Sequence, residues 1–206
     1  METSAQIVKF MIFADRLKSI NRAEYIHDNT RRENPAEHTW HILVLWLILC
    51  EQIRMDMDAL RVVKMIVVHD IPEVLAGDVS VWDEESRKSA AVMEAHAAKS
   101  IDTHSEWRDL KVGFLELWRE FEDGVTIEAK IARALDKLQG TIQNVCSGGK
   151  GLNEHRISKQ QFIASLSWVS NLPDEIRSIV SAVVEVVLET EPWKKNNTTA
   201  DLWPKL

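Results

Sequence analysis

The stretch from Pro35 to Cys50 leaves this chain little choice of fold. Pro35 suits the first turn of a helix, where its missing N–H would have no partner in any case. Glu37-His38-Thr39-Trp40-His41 fill the next positions, and Ile42 to Cys50 are then apolar without a break. A helix apolar on every side is expected at the buried centre of a helical protein. The run is far short of the ~20 residues that a membrane span needs. Only 7 Gly and 5 Pro occur in 206 residues, which favours helices over a many-turned β fold. The expected fold class is therefore all-α. The length allows one domain with a real core, residues 1–190, and a C-terminal tail, residues 191–206.

Apolar spacings of three and four predict further helices over 5–21, 58–70, 106–122, 127–146, 158–170 and 174–190. Residues 84–101 read as a largely exposed helix. The last segment carries a wide apolar face (Ile176, Ile179, Val180, Val183, Val184, Val187, Leu188). That face, with the exposed tryptophans, suggests a homodimer, although the same residues serve equally well as core. Ser147-Gly148-Gly149-Lys150-Gly151 lacks the strand and the glycine-to-lysine spacing of a phosphate loop, so it reads as a flexible connector.

The net charge of −7 argues against general binding to nucleic acid or acidic membranes, which needs a basic surface. Cys50 and Cys146 are the two cysteines, too few for a disulfide framework and consistent with a reducing compartment. No basic stretch leads into an apolar run at the N-terminus, so no signal peptide is expected and a cytoplasmic location is.

Chemistry concentrates in Met65 to Asp78. Four apolar residues run into His69-Asp70, followed by Pro72, Glu73 and Gly77-Asp78. An imidazole beside a carboxylate at the end of a buried segment outlines a mixed N/O metal site. By itself the pair also reads as a helix end and a cap. His38 sits at the mouth of the apolar helix with His41 one turn on, and one of the two is a ligand candidate. Asp136 shares its helix row with Ala129, Ala132 and Gly140, which lets another helix or a metal come close; a surface pair with Arg133 is the alternative. Arg16, Lys18, Arg22, Arg31 and Arg32 form a local basic cluster, either a solvated face or an anion-binding wall. His96 and His104 lie on polar stretches and read as surface residues.

In order, His38, His69-Asp70 and Asp136 form an H…HD…D pattern. With Arg16-Leu17-Lys18, Ile20-Asn21-Arg22, Glu33-Asn34, Glu37, Glu73, Gly77-Asp78, Leu117-Trp118, Glu120, Glu122, Glu128-Ala129 and Leu135, the chain resembles the HD-domain metal-dependent phosphohydrolases, 5'-deoxynucleotidase branch. The resemblance reaches from Arg16 to about Asn144. It implies an HD-domain helical bundle with buried central helices and a C-terminal helix pair. It implies His38, His69, Asp70 and Asp136 as ligands of one divalent transition metal ion (Mn, Co, Fe, Zn or Ni). Glu73 and Asp78 would handle water and proton transfer, and Arg22, aided by Arg16 or Lys18, would hold the substrate phosphate. The implied activity removes the 5'-phosphate from (deoxy)nucleoside monophosphates. Other readings are an HD hydrolase of nucleoside triphosphates or cyclic phosphodiesters, or a metal-binding dimer module without turnover. In the bacterial deoxynucleotidases a tryptophan follows the phosphate-holding arginine. Here that position is Ala23, and Tyr25, Trp40 and Trp82 are the candidates to replace it.

Overall fold

A computed structural model describes residues 2–78, 84–110 and 112–194. Among these the regular elements are all helices, joined by loops and turns, apart from an isolated bridge between Tyr25 and Arg32. In order, the helices are α1 (Glu2–Asp15), α2 (Pro35–Leu49), α3 (Ala59–Val68), α4 (Glu73–Ala76), α5 (Glu84–Asp102), α6 (Phe114–Asp123), α7 (Ile127–Cys146), α8 (Lys150–Glu154), α9 (Lys159–Ser165) and α10 (Asp174–Glu189). No helix among the described residues is long and apolar enough to cross a membrane. The expected loop around Trp82, and most of the tail, lie outside the described residues.

Helix starts follow local chemistry. Asn34 caps α2: its side chain accepts from the Glu37 N–H at 3.0 Å, and the Glu37 carboxylate accepts from the Asn34 N–H at 3.2 Å. This reciprocal pair, with Pro35 inside it, fixes where the apolar run begins. Asp58 and Thr126 cap α3 and α7 with one bond each, their side chains accepting from the Arg61 and Ala129 N–H. Pro72 and Gly77 bracket the single turn of α4, and Gly77 takes φ +79°.

The centre of the bundle is not α2. That helix buries Ile42, Trp46 and Leu49 but leaves Trp40, Leu47 and Ile48 exposed at 66, 71 and 58 %. The central element is α7, which packs against α2, α3, α6 and α10. Its alanines Ala129, Ala132 and Ala134 are fully or almost fully buried. Small side chains let neighbouring helices close in from several sides, which bulky α2 cannot do. The stripe of α10 (Ile176, Val180, Val184, Val187) is also buried, packed toward α7 rather than left free for a partner. Segment 158–170 shortens to α9 and a 3-10 turn, Ser167–Asn171.

The glycine-rich loop is a packed corner, not a flexible connector. Gly148 and Gly149 take φ +57° and +72°, and the corner feeds directly into α8. A β-carbon at Gly149 would sit 1.5 Å from the Pro192 carbonyl oxygen. Gly149→Ala should therefore destabilise the fold by more than the ~1–2 kcal/mol of a left-handed non-glycine residue. Thermal melting should fall by at least ~2–4 °C for each kcal/mol in a chain this size. An unchanged melting temperature would contradict this packing.

Candidate metal centre

Three helices bring the ligand-type residues together. His38 lies in the first turns of α2, His69 at the C-terminal end of α3 with Asp70 next to it, and Asp136 midway along α7. One donor atom from each of His38, His69 and Asp136 lies within 4.8 Å of the others, a group that could hold a metal ion. Asp70 joins them, with its carboxylate oxygens 3.0 Å from His69 Nε2 and 3.9 Å from His38 Nε2. His38 Nε2 stands 2.9 Å from Asp136 Oδ1, and His69 Nε2 stands 4.0 Å from the same oxygen. Asp136 is thus turned inward, while Arg133 turns away to the Phe121 and Glu122 carbonyls.

Both imidazoles are aimed by their other nitrogen. His69 Nδ1 donates to the Ile66 carbonyl at 2.7 Å, and His38 Nδ1 lies 2.6 Å from Gln139 Oε1. Each Nε2 then faces the cluster. Anchoring the second nitrogen in this way is the usual support of a metal-ligating histidine. Phe121 packs on the His69 ring with centroids 5.0 Å apart.

The donor set fits a cation. His69 Nε2 and Asp70 Oδ2 are buried and have no hydrogen-bond partner among the described residues. Their contacts are ion pairs, His69 Nε2 with Asp70 Oδ1 at 3.0 Å and Asp70 Oδ2 with Arg22 Nη1 at 3.5 Å, which a bound cation would supplement. Two imidazoles and two carboxylates suit a divalent transition ion better than an all-oxygen cation such as Mg.

Further carboxylates crowd the cluster. Glu73 is buried at the start of α4, and its pKa is pushed up to about 10 by burial and by the charges of Asp70 and Asp78. Burial also lifts Asp78 to about 6, against the pull of Arg22. Burial opposes the charge on His69, but Asp70 and Asp136 outweigh it and raise the imidazole to about 9. Burial disfavours the Asp70 anion too, yet His69, His38 and Arg22 hold it well below the ordinary carboxylate range.

Arg22 is the cation at this wall. Its Nη1 is 3.5 Å from Asp70 Oδ2, and its Nε is 3.4 Å from Glu33 and 3.8 Å from Glu24. Burial works against the guanidinium, but Glu24, Asp70, Asp78 and Glu33 together raise its pKa further. Arg16 and Lys18 are placed elsewhere. Arg16 lies over the Phe13 ring, and Lys18 pairs with Asp15 at the surface. His96 and His104 are exposed, and His104 stacks on Trp107.

Gln139 received no role from its sequence position, although it is three residues past Asp136 and so on a neighbouring row of α7. It is almost fully buried. Its amide nitrogen donates to Glu33 Oε1 and faces His41 Nδ1, both at 3.0 Å, so its oxygen must turn to His38. His41 therefore stands behind His38, one step removed from the cluster. Gln139→Leu should weaken metal binding by about 10–100-fold, the usual loss for such a supporting contact. Equal metal affinity, by titration against a chelator, would contradict that support.

Comparison with known proteins agrees with this geometry. The chain is 27% identical to 5'-deoxynucleotidase HDDC2 of Homo sapiens over 196 residues, 94% of this chain and 89% of the relative. It is 29% identical to 5'-deoxynucleotidase hdd1 of Schizosaccharomyces pombe, over 82% of this chain and 83% of that one. A crystal structure of a predicted metal-dependent phosphohydrolase from Magnetospirillum magnetotacticum MS-1 superposes with a TM-score of 0.78. That protein is 28% identical, and the match covers 94% of this chain and 97% of the other. A Pyrococcus furiosus protein, 22% identical with a TM-score of 0.64, shares the fold. The sequence model of the HD domain matches residues 14–172, an interval that contains His38, His69-Asp70 and Asp136, and the chain therefore belongs to the HD domain family.

Proposed function

We propose that this chain is a metal-dependent phosphoric monoester hydrolase that removes the 5'-phosphate from deoxynucleoside monophosphates. The observation that carries the reading is the convergence of His38, His69, Asp70 and Asp136, with Arg22 3.5 Å from Asp70. The names of the HDDC2 and hdd1 relatives support the substrate class.

In this reading the four converging residues are the ligands of one divalent ion (Mn, Co, Fe, Zn or Ni). When bound, that ion would neutralise phosphate charge and make water more acidic. Arg22 holds the phosphate from the opposite side, as a planar fork suited to its oxygens. The Glu73 carboxyl, pulled down from its raised metal-free value once the ion is bound, orients or deprotonates the attacking water from its buried place beside Asp70, with Oε2 unpartnered among the described residues. Asp78, lifted to about 6, protonates the leaving oxygen or contacts the sugar hydroxyl. Arg16 and Lys18 are left only a long-range pull, which salt screens beyond ~8 Å.

The test is phosphate release from a panel of nucleoside mono- and triphosphates and cyclic nucleotides, using protein stripped of metal and then reloaded. Release from deoxynucleoside monophosphates, restored by metal, is the expected result. Turnover of only triphosphates or cyclic nucleotides would overturn the substrate assignment, and none at all would favour a module without turnover. The proposed assembly is a homodimer. Its support is the exposed apolar face of α2 (Trp40, Leu47, Ile48) rather than α10. Light scattering would test it. The free thiols Cys50 and Cys146 support the proposed cytoplasmic location.

A further inference from the structure

The cluster opens in one direction. The side chains of His38, His69 and Asp70 are 0, 4 and 11 % exposed, whereas that of Asp136 is 29 % exposed. Asp136 and Arg22 line a cavity of about 330 Å³ that continues along α7 past Lys137, Gly140 and Asn144 to Trp168. That volume lies within the ~300–1,000 Å³ of small-molecule sites.

The spacing along α7 suits an elongated ligand. Asp136, Gly140 and Asn144 are four residues apart and share one helix face, so they step ~6 Å and ~12 Å along the axis from the cluster. Gly140 is the revealing position. It lies inside the central helix with no left-handed backbone, and a β-carbon there would meet no heavy atom within 4 Å. Nothing in the fold requires a glycine, which costs about 1 kcal/mol against alanine in a helix interior. The bare face opens onto the cavity instead. At the far end stands the half-buried Trp168, with Lys137 Nζ 5.7 Å from its ring centroid.

We propose that this cavity is the nucleoside subsite, with Gly140 admitting the sugar and Trp168 stacking the base. The assignment rests on the monoesterase reading above. It names the aromatic group that Ala23 does not supply. Trp40 is exposed and stacks on His41, Tyr25 donates to Glu154 beneath Arg32 and Lys150, and Trp82 is outside the described residues. Stacking on an indole holds any base, with ~1–3 kcal/mol per base from such contacts. The subsite therefore predicts weak discrimination among bases.

The test uses the full metal-loaded chain carrying Glu73→Gln, which should keep its metal and hold nucleotides without hydrolysing them, and isothermal titration with the four deoxynucleoside 5'-monophosphates and with inorganic phosphate. The variants are Gly140→Leu, Trp168→Ala and Trp168→Phe, each checked by thermal melting. Gly140→Leu should fold, since its β-carbon meets no heavy atom within 4 Å and leucine favours the helix. The preference for nucleotide over phosphate should fall at least tenfold in Gly140→Leu and Trp168→Ala, and Trp168→Phe should recover most of it. An unchanged preference in either of the first two, or a parent that binds nucleotides no more tightly than phosphate, overturns the subsite. Parallel phosphate-release assays, with Glu73 in place, separate the two readings. Nucleotide binding that depends on Gly140 and Trp168 without turnover contradicts the hydrolase and leaves the subsite standing. Turnover with an unchanged preference does the reverse.

Discussion

Glu73→Gln is expected to lower hydrolysis of deoxynucleoside monophosphates by about 10²–10⁴-fold, the range for loss of a general acid or base. Bound metal per chain should stay at the parent level, because Glu73 is not among the four converging residues. The same substitution should raise the stability of the metal-free protein. Burial, and then the charges of Asp70 and Asp78, lift the carboxyl from its ordinary 4.5 to about 10. A folded chain that keeps this proton competes with an unfolded chain that has lost it, so stability falls as pH rises between those values. Glutamine carries no such proton and escapes the loss. Relief of a buried, unpartnered group on the order of 1–3 kcal/mol should raise melting at pH 8 by ~2–4 °C per kcal/mol. Parent-like turnover would remove Glu73 from the mechanism. Equal melting of the two metal-free proteins would show that its carboxyl is not held neutral by burial.

The all-α class and most helix starts were legible because they depend on neighbours in sequence; the helix expected over 106–122 starts only at Phe114, after the 3-10 turn Arg108–Leu110 and a left-handed Gly113. Pro35 marks one start, which the Asn34 and Glu37 side chains complete in the structure, and Thr126 caps another. The ligand-type residues were legible as a pattern of types and order. Which helix occupies the centre was not. Hydrophobicity marks how willing α2 is to be buried, but close packing on several sides depends on small residues, and α7 has them. Gln139 was invisible for a related reason. A buried amide gains its role only when α2 and α7 meet, and it lies 101 positions from His38. The basic cluster misled in part, because a run of cations near one another in sequence spreads over a helix end and a bend. Arg22 alone turns toward Asp70, while Lys18 finds Asp15 and Arg31 finds Glu37.

Asp70→Ala should cost metal binding more than the ~10–100-fold of a supporting contact, and turnover should go with it. The variant removes a carboxylate held well below its ordinary range by buried cations, chiefly His69. Breaking a buried charge pair by deleting one partner costs about 3–5 kcal/mol. The metal-free variant should therefore also melt below the metal-free parent. The pH dependence of metal binding follows from the same pair. His69, raised to about 9 in the metal-free protein, must lose its proton before its Nε2 can bind a cation. Metal uptake at pH 7 should release about one proton from this group, and affinity should rise with pH until about 9. As its raised pKa requires, the stability that charged His69 gives the metal-free fold is fully present below about 6.5 and is lost toward pH 9. Calorimetry in buffers of different ionisation enthalpy would count the proton. Uptake without release would mean that His69 is already neutral.

Metal binding, turnover and the pH dependence all require α2, α3 and α7 to meet around one cation. Crystals grown with Mn, measured at the wavelength where that ion scatters anomalously, address it directly. One strong anomalous peak per chain is expected, within bonding distance of His38 Nε2, His69 Nε2 and a carboxylate oxygen of both Asp70 and Asp136. A peak elsewhere, or one at the two histidines with Asp136 turned away, would contradict it.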